Sequence, residues 1–457
     1  MKTTDAGEKT IAIIGGGVSG ALVAYHLVRQ QAAARVVVFE PKGEFGLGLA
    51  YSTPSLLHLL NVPAGKISAL PDDAGHFLRW LRKNHDAKAT GATFAPRAVF
   101  GRYVRSLVAE IEDAVEQERE QVVDLRREEE GAILALANGT EFRADMVVVA
   151  TGNFDPAPLR GVCEEAKESG VYCHNAWSDA TYADLAEDAT VALIGTGLTA
   201  VDVVLRLREL GHRGQVIALS RNGLLPNGHA EYTPAAECAI PAGTQPTCVA
   251  YLRAFRAALK RGVEWRAAVD SLRAATNDLW LALPEKEQQR FRRHLQRRWE
   301  IVRHRTAPPI AAAIAAERDA GTLVVRRGRV FGVTMNDGRG QVEVKTVDGV
   351  ESVAADRVIN CTGPSLHYRH VGSALLESLL RQGLATPGAM DAGFRTSRDG
   401  AMIEEDGAVS QVLYNLGPGR LGTLLESIAV PEIREQAVAL ASLLKKRVGC
   451  RICRQAA

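Results

Sequence analysis

The sequence predicts an α/β fold that consists of two Rossmann-like dinucleotide-binding domains, with a helical insert in the second domain. Three observations lead to this prediction. A strand, glycine turn, helix and second strand follow one another from about residue 10, and a similar series begins near residue 190. A third observation is a stretch at about residues 228–320, rich in arginine, alanine and leucine, that lies between strand-like segments. The 457 residues leave room for two or three domains.

The first nucleotide unit begins with the apolar residues 11–14, which suit a buried strand and lead into G-x-G-x-x-G at Gly15, Gly17 and Gly20. In that order, these glycines permit a tight turn, close approach of a pyrophosphate, and close packing of the helix on the strand. The next strand ends at Glu40, where a carboxylate accepts hydrogen bonds from ribose hydroxyls and repels a 2′-phosphate. The unit therefore predicts FAD or NAD at this site and excludes NADP.

Four further segments are predicted to contact the cofactors. The loop after Glu40 contains Gly48 and is of the kind that lies along a pyrophosphate. Two strands end in a Thr-Gly pair, one beneath the flavin nucleotide and one where the chain returns to its first domain. A glycine cluster precedes the C-terminal helix, whose positive end is expected to stabilise charge on the reduced flavin. The pairs and the cluster are Thr151 and Gly152, Thr362 and Gly363, and Gly417 and Gly422.

The second nucleotide unit contains the run VALIGTGLTAVD. Gly195 and Gly197 repeat the tight turn and the close approach, and Ala200 takes the third position. The next strand ends with Ser220 and Arg221 in place of an acid. Because arginine pairs with a 2′-phosphate and a serine hydroxyl can bond to it, this site is predicted to bind NADPH. The alternative is that Arg221 is an ordinary surface arginine.

The insert supplies candidate substrate contacts. His229 opens it and is expected to face the flavin. Arg303 and Arg305 lie near its end, in a segment with more arginines than a helix surface needs, and are expected to hold an anionic substrate or the NADPH phosphates. The alternative for these arginines is a basic, solvated helix face.

The two units set the predicted domain boundaries. Residues 1–185 and 361–457 form the FAD-binding domain, and residues 186–360 form the NADPH-binding domain with its insert. The hydrophobic share of 46% and the charged share of 24% are those of a soluble globular protein. A net charge of +2 gives no reason to expect a nucleic acid or a membrane as partner. Seven scattered cysteines and the lack of a signal-peptide pattern favour a reducing cytoplasm.

Two cysteines near the end, Cys450 and Cys453, form a C-x-x-C pair. An unstructured tail, a redox pair and half a metal site are the open interpretations. With no second C-x-x-C and no nearby histidine, no metal site is predicted. A homo-oligomer is compatible with the sequence.

The glycine units, together with VVVATG, INCTGP and LGPGRLGTLLESIAVPEIR, span nearly the whole chain. On these residues the chain resembles the two-dinucleotide-binding flavoproteins, and more narrowly the bacterial FAD/NAD(P)-binding proteins related to flavin-containing and N-hydroxylating monooxygenases. In flavin-containing monooxygenases an asparagine follows the first cofactor loop and a lysine comes shortly after, and Asn61 and Lys66 resemble that pair. Two positions depart from the pattern: Ser169 replaces a linker phenylalanine, and Pro418 replaces an aspartate.

The resemblance implies an FAD-dependent, NADPH-using flavin monooxygenase that forms a C4a-hydroperoxide with oxygen near Asn61. Its substrate would be a small nucleophile, and N-hydroxylation of an amine such as an amino acid is the expected reaction. The alternative is an NAD(P)H-dependent flavin reductase that passes electrons to a quinone, a disulfide or a protein partner. The loop after the first unit lacks the C-x4-C pair of disulfide reductases, which argues against a disulfide. A third interpretation is a flavin-binding redox sensor without turnover.

Overall fold

The computed structural model describes residues 8–449 and confirms an α/β fold built on two parallel sheets. Each predicted nucleotide unit supplies the centre of one sheet. The strands are β1 Lys9–Ile14, β2 Ala34–Phe39, β3 Val115–Glu118, β4 Val122–Glu128, β5 Gly131–Leu136, β6 Glu141–Ala144, β7 Met146–Val149, β8 Tyr172–Cys173, β9 Val191–Ile194, β10 Val216–Ser220, β11 Leu323–Arg327, β12 Arg329–Asn336, β13 Arg339–Lys345, β14 Val350–Ala355, β15 Arg357–Asn360, β16 Ala401–Ile403 and β17 Val409–Asn415.

Helices cover the two sheets and form the insert. They are α1 Val18–Arg29, α2 Gly48–Tyr51, α3 His76–Asn84, α4 Arg97–Ala109, α5 Glu164–Glu168, α6 Leu198–Glu209, α7 Cys248–Lys260, α8 Trp265–Ser271, α9 Thr276–Ala282, α10 Glu285–His294, α11 Gln296–Arg303, α12 Pro308–Asp319, α13 Ala374–Arg381 and α14 Val430–Val448.

The first sheet has the strand order β16-β17-β7-β1-β2-β3, and β1 runs parallel to both of its neighbours. Residues 11–13 of β1 are fully buried. Helices α1, α4 and α14 cover one face of this sheet, and the β4-β5-β6 sheet and α13 cover the other. Burial on both faces explains why this strand is apolar at every position instead of alternating. The first glycine turn follows at the carboxyl end of β1, the edge where open α/β sheets bind ligands.

The second sheet has the order β11-β10-β9-β15-β8, with β9 parallel to both β10 and β15. Helices α6 and α12 pack on one face, and the β12-β13-β14 sheet packs on the other. The second glycine turn follows β9, just as the first follows β1. The two turns therefore occupy equivalent positions in two similar layered units.

The boundary between the two domains lies earlier in the chain than residue 185. Tyr172 and Cys173 of β8 pair in parallel with Val358 and Ile359 of β15, so β8 belongs to the second sheet. The domain built on the second sheet therefore begins between β7 and β8. The sequence gives little sign of this, because a strand of two residues is too short to show a pattern of its own.

The insert is shorter than predicted at its C-terminal end. Helices α7, α8, α9 and α11 contribute to a small core of the insert's own, which includes Ile240, Ala258 and Leu272. Helix α12, by contrast, packs Ile310 and Ile314 on the second sheet and is the crossover helix between β10 and β11. The insert thus ends before α12, and not near residue 320.

Two remaining expectations concern the membrane and the terminal cysteines. Within residues 8–449, no helix combines the length and the apolar character required to cross a bilayer. Cys450 and Cys453 lie outside the described residues.

Candidate functional site

The first glycine turn is a tightly packed segment in which any side chain on its glycines would clash with the backbone or occupy the space for a ligand. Gly15 has φ +103°, and a Cβ placed on it would lie 2.5 Å from the carbonyl oxygen of Ala150. A Cβ on Gly20 would lie 2.0 Å from the carbonyl oxygen of Gly15, so the helix packs against the turn itself. Gly17 caps α1 without a side-chain hydrogen bond and faces Gly48, whose φ is +59°. The free N–H groups of this helix end suit a pyrophosphate, and the turn fits FAD.

Glu40 follows β2 with both carboxylate oxygens oriented. Oε2 accepts a hydrogen bond from the Gly16 N–H at 2.9 Å, and Oε1 accepts one from the Lys42 N–H at 3.1 Å. The negative charge is therefore fixed beside the first turn.

Thr151 and Gly152 follow β7 at the same sheet edge, and Gly152 has φ +73° with open space where a Cβ would lie. This arrangement is compatible with the predicted FAD contacts.

The second glycine turn repeats the first in its backbone. Gly195 has φ +121°, and a Cβ on it would lie 2.3 Å from the carbonyl oxygen of Cys361. Gly197 caps α6, again without a side-chain hydrogen bond. Thr362 donates to Asn360 Oδ1 from its N–H at 3.1 Å and from its hydroxyl at 2.7 Å, which fixes the chain just before Gly363.

Ser220 does not offer the hydrogen bond that the sequence predicted. The Thr196 hydroxyl donates to the carbonyl oxygen of Leu224 at 2.7 Å, so the Ser220 hydroxyl must donate to Thr196 Oγ1 at 2.8 Å. Ser220 Oγ also accepts from the Gly223 N–H at 3.1 Å. Its single proton is therefore used in ordering the loop after β10. Arg221, next in the chain, is exposed at the edge of the cavity described below.

A cavity of about 790 Å³ separates the two units and is lined by both of them. We call it the interdomain cavity. Its lining includes the second glycine turn, the loop at Asn61 and the residues that begin α14. Representative lining residues are Asn61, Gly197, Arg221, Thr362, Ala429 and Val430. The start of α14 therefore lies at this cavity, and its predicted role towards the reduced flavin stays a prediction. Gly417 and Gly422 serve packing, since Cβ atoms there would lie 2.4 Å from Ser19 Oγ and 2.4 Å from the Phe394 carbonyl oxygen.

The two predicted catalytic residues are in different surroundings. Asn61 lines the interdomain cavity, whereas Lys66 is exposed on a 3₁₀ turn, Ala64–Lys66, and does not line it. His229 Nε2 donates to the backbone carbonyl of Asn61 at 3.0 Å, and its ring contacts Phe94. Burial, followed by the charge of Arg305, lowers the pKa of His229 to about 4. His229 thus holds the Asn61 loop from behind as a neutral imidazole, and does not face the cavity.

Arg303 and Arg305 are structural, which corrects the hypothesis that they hold a substrate. Arg303 is 4% exposed and forms ion pairs with Glu426 and Glu432. Arg305 is fully buried and forms an ion pair with Asp270. Charges already matched by carboxylates inside the protein have little left to offer an anion. Neither arginine lines the interdomain cavity.

Helix α11 and the residue after it present three other polar residues to the interdomain cavity, and the sequence analysis missed Arg297 and Glu300. Arg297, Glu300 and His304 all line it. Their spacing of i, i+3 and i+7 places them on one helical face, a signal that was available in the sequence. Burial, and next the charge of Arg303, lowers the pKa of His304 to about 4, so this imidazole is neutral at pH 7.

A buried ion pair joins the two domains beside the cavity. Arg97 on α4 donates to both carboxylate oxygens of Asp202 on α6, at 2.8 and 3.2 Å. The two side chains are 17% and 7% exposed. His58 Nε2 donates to the backbone carbonyl of Asp202 at 3.0 Å. The first domain therefore holds the helix that carries the second glycine turn.

Comparison with known proteins agrees with this architecture. A family model described as FAD-NAD(P)-binding matches residues 12–154. The protein YdhS of Escherichia coli (strain K12), described as uncharacterized, is 26% identical over 296 residues, which cover 56% of this chain and 52% of that protein. The chain thus spans about half the length of this curated relative.

Solved structures match over almost the whole chain. Ornithine N-hydroxylase KtzI from Kutzneria sp. 744, in a complex with reduced FAD, NADP⁺ and L-ornithine, gives a TM-score of 0.68 at 15% identity, with 97% of this chain and 100% of that chain covered. The bacillithiol disulfide reductase Bdr (YpdA) from Bacillus cereus gives 0.54 at 16% identity, with 96% and 99% covered. Residues 12–154 are therefore similar to FAD-NAD(P)-binding domains. The chain as a whole shares the fold of these two-domain flavoprotein structures, as its glycine units predict.

Proposed function

We propose that this chain is an FAD-dependent, NADPH-using monooxygenase that N-hydroxylates a small primary amine. The observation that carries the proposal is the interdomain cavity, which has a glycine turn open to a second nucleotide on one side and Asn61 and the start of α14 on another. Similarity of the fold to an ornithine N-hydroxylase supports the same reaction class. When bound, FAD would supply the redox chemistry that activates oxygen.

The residues of the chain position the reactants and exclude water. Asn61 lines the part of the interdomain cavity where oxygen would react, and its side-chain amide can donate a hydrogen bond there. His229 keeps the backbone of Asn61 in place. Leu60, Val62 and Ile67 give the same loop an apolar surface in the cavity. An apolar, enclosed surface protects reactive oxygen species from protons and water.

The polar face of α11 is suited to an amine. The neutral His304 ring adds no positive charge and offers a lone pair to an amine N–H. The carboxylate of Glu300 lies on the same face, one turn away. An ammonium group that passes one proton to the Glu300 carboxylate can then attack as a neutral amine. These two groups replace Arg303 and Arg305 as the proposed substrate contacts.

Reduction of a disulfide is the competing function, and one cysteine of the described chain bears on it. Cys361 lines the interdomain cavity, but burial raises the pKa of its thiol well above the usual range. A thiol with a raised pKa is a poor nucleophile at neutral pH, because the thiolate is the reactive form. This residue therefore favours the monooxygenase over a reductase that works through Cys361.

The test is a two-step flavin experiment on the purified holoprotein. NADPH is added without oxygen, and the reduced protein is then mixed with aerated buffer that contains small primary amines, L-ornithine among them. We expect rapid bleaching of the flavin by NADPH, then a long-lived near-ultraviolet absorbance and a hydroxylamine product. Immediate return of oxidised flavin with stoichiometric hydrogen peroxide, whatever the amine, would contradict the monooxygenase and favour the reductase.

A further inference from the structure

We propose that Arg297, which the insert contributes, binds the pyrophosphate of the nicotinamide dinucleotide and so makes the insert part of the second nucleotide site. The inference rests on the NADPH site of the proposed function but not on the oxygenation step. The insert would then provide a cationic side chain for the pyrophosphate, which neither glycine turn provides.

The guanidinium of Arg297 lies across the second glycine turn. One nitrogen, Nη2, donates to the carbonyl oxygen of Thr196 at 3.0 Å and to that of Leu224 at 2.6 Å. The other, Nη1, lies 4.0 Å from the point where a Cβ on Gly197 would be. Gly197 is the residue that allows a pyrophosphate to approach the backbone. The arginine is therefore anchored on one side and turned towards the phosphate position on the other.

Part of the donor capacity of Arg297 is unused. A guanidinium has five N–H groups. Within residues 8–449, the hydrogen bonds of Arg297 all leave from Nη2, and the nearest carboxylate oxygen to Nη1 is that of Glu300 at 3.6 Å. The side chain is 28% exposed and lines the interdomain cavity. Nε and Nη1 can thus donate to phosphate oxygens in the fork geometry that arginine provides.

Charge decides the class of ligand. The N-terminus of α6 carries a partial positive charge, and Gly197 caps it without a side chain. Arg297, whose ion pair with Glu300 is long and partly exposed, adds positive charge at the turn, and Arg221 adds more at the end of β10. NADPH carries an anionic pyrophosphate and, separately, an anionic 2′-phosphate on its ribose. The two arginines are positioned for one of these groups each.

The experiment separates the two arginines by ligand. Dissociation constants of NADP⁺, NAD⁺ and adenosine 2′-phosphate are measured by calorimetry on the FAD-loaded protein for the wild type, Arg297→Gln, Arg297→Lys and Arg221→Gln. The matched control is Arg298→Gln, since Arg298 is exposed on the same helix. Flavin content and the thermal midpoint are recorded for each variant.

We expect Arg297→Gln to weaken NADP⁺ and NAD⁺ by the same factor, roughly 10- to 100-fold, because both contain the pyrophosphate. Adenosine 2′-phosphate lacks the pyrophosphate, so its affinity stays within about 2-fold. Arg297→Lys recovers part of the loss as a point charge. Arg221→Gln weakens NADP⁺ and adenosine 2′-phosphate and leaves NAD⁺ unchanged. Arg298→Gln changes none of the three.

A purely structural role gives a different pattern. If Arg297 only orders the loop after β10, its loss disturbs Arg221, and NADP⁺ and adenosine 2′-phosphate weaken while NAD⁺ does not. That pattern, or unchanged affinity for both dinucleotides, overturns the inference. A wild type that binds neither dinucleotide overturns the NADPH site of the proposed function as well. A wild type that binds both but produces only peroxide overturns the oxygenation and leaves the assignment of Arg297 standing.

Discussion

Each glycine turn of this chain places a glycine against the carbonyl oxygen that ends a neighbouring strand. A Cβ on Gly15 would lie 2.5 Å from the Ala150 oxygen, and a Cβ on Gly195 would lie 2.3 Å from the Cys361 oxygen. The helices that follow both have 12 residues, and both begin at a glycine in extended conformation without a side-chain cap. The two turns thus have the same backbone arrangement. This arrangement suits a pyrophosphate, which requires a helix N-terminus with open space in front of it.

The side chains around the two turns differ. The first turn faces the backbone of Gly48 and the fixed carboxylate of Glu40. The second faces the guanidinium of Arg297 and has Arg221 at the equivalent strand end. We therefore propose that the backbone suits each turn to a nucleotide, and that the neighbouring charges determine which nucleotide it accepts. This explanation can be tested by damaging one turn at a time.

The largest effects are expected from alanine at the first glycine of each turn. Gly15→Ala forces a Cβ against a carbonyl at φ +103°, and Gly195→Ala does the same at φ +121°. Strain and overlap of this kind cost about 3 kcal/mol or more. We expect Gly15→Ala to be purified without flavin. Gly195→Ala should keep its flavin, but NADPH should no longer reduce it. Absorbance at the flavin band before and after NADPH measures both.

Gly91→Ala is the control for this pair, since Gly91 is exposed and a Cβ there would meet only the Gly65 Cα at 3.8 Å. It should bind flavin and react with NADPH as the wild type does. Loss of flavin from Gly195→Ala, or normal flavin in Gly15→Ala, would show that the two turns do not divide the nucleotides as proposed.

The next largest effect is expected from removal of the ion pair that joins the two units. Arg97→Met leaves Asp202 buried without its cationic partner, which costs about 3–5 kcal/mol. We expect a lower free energy of unfolding in urea and slower reduction of the flavin by NADPH, because α6 is no longer held against the first domain. Arg29→Met is the matched control, since its ion pair with Asp72 is 43% and 61% exposed. Exposed pairs contribute about 1 kcal/mol or less. Equal losses in the two variants would remove the joining role of Arg97.

Local pattern was sufficient to predict the two turns. Glycine spacing, an apolar strand and a charged strand end all lie within about 30 residues, so the sequence displays them together. The side-chain roles were less accessible. Arg303 resembles a cation available to substrate until Glu426 and Glu432, more than 100 residues later, are brought against it. Long-range ion pairs of this kind leave no local pattern in a single sequence.

Other features could have been found and were not. Arg297 and Glu300 lie one turn apart on α11, next to the candidate cations of the same segment, and this spacing is visible in the sequence once α11 is recognised as one helix. Ser220 illustrates the opposite case. Its position at the strand end suggested a phosphate contact, yet its proton is required by Thr196. Whether a hydroxyl is free depends on the geometry of the neighbouring loop, which residue type does not reveal.

The smallest expected effect concerns pH and also distinguishes the two units. His26 on α1 is 2% exposed, and burial, followed by the charge of Arg29, lowers its pKa from 6.5 to about 4. His212, just after α6, is also buried, and burial lowers its pKa as well. Below about pH 6.5 the unfolded chain takes up protons that these folded imidazoles exclude. The free energy of unfolding therefore falls as the pH drops from about 6.5 towards 4.

At pH 5.5 this proton uptake should cost about 1 kcal/mol for His26. His26→Gln removes that site, so its stability should fall less than that of the wild type between pH 7.0 and pH 5.5, by about the same 1 kcal/mol. Urea unfolding followed by flavin fluorescence measures the difference. His85→Gln, at an exposed position, is the control and should keep the pH dependence of the wild type. If the free energy of unfolding depends on pH as strongly in His26→Gln as in the wild type, the acid sensitivity of the first domain arises from another group. A shallower dependence in His212→Gln alone would assign it to the second unit.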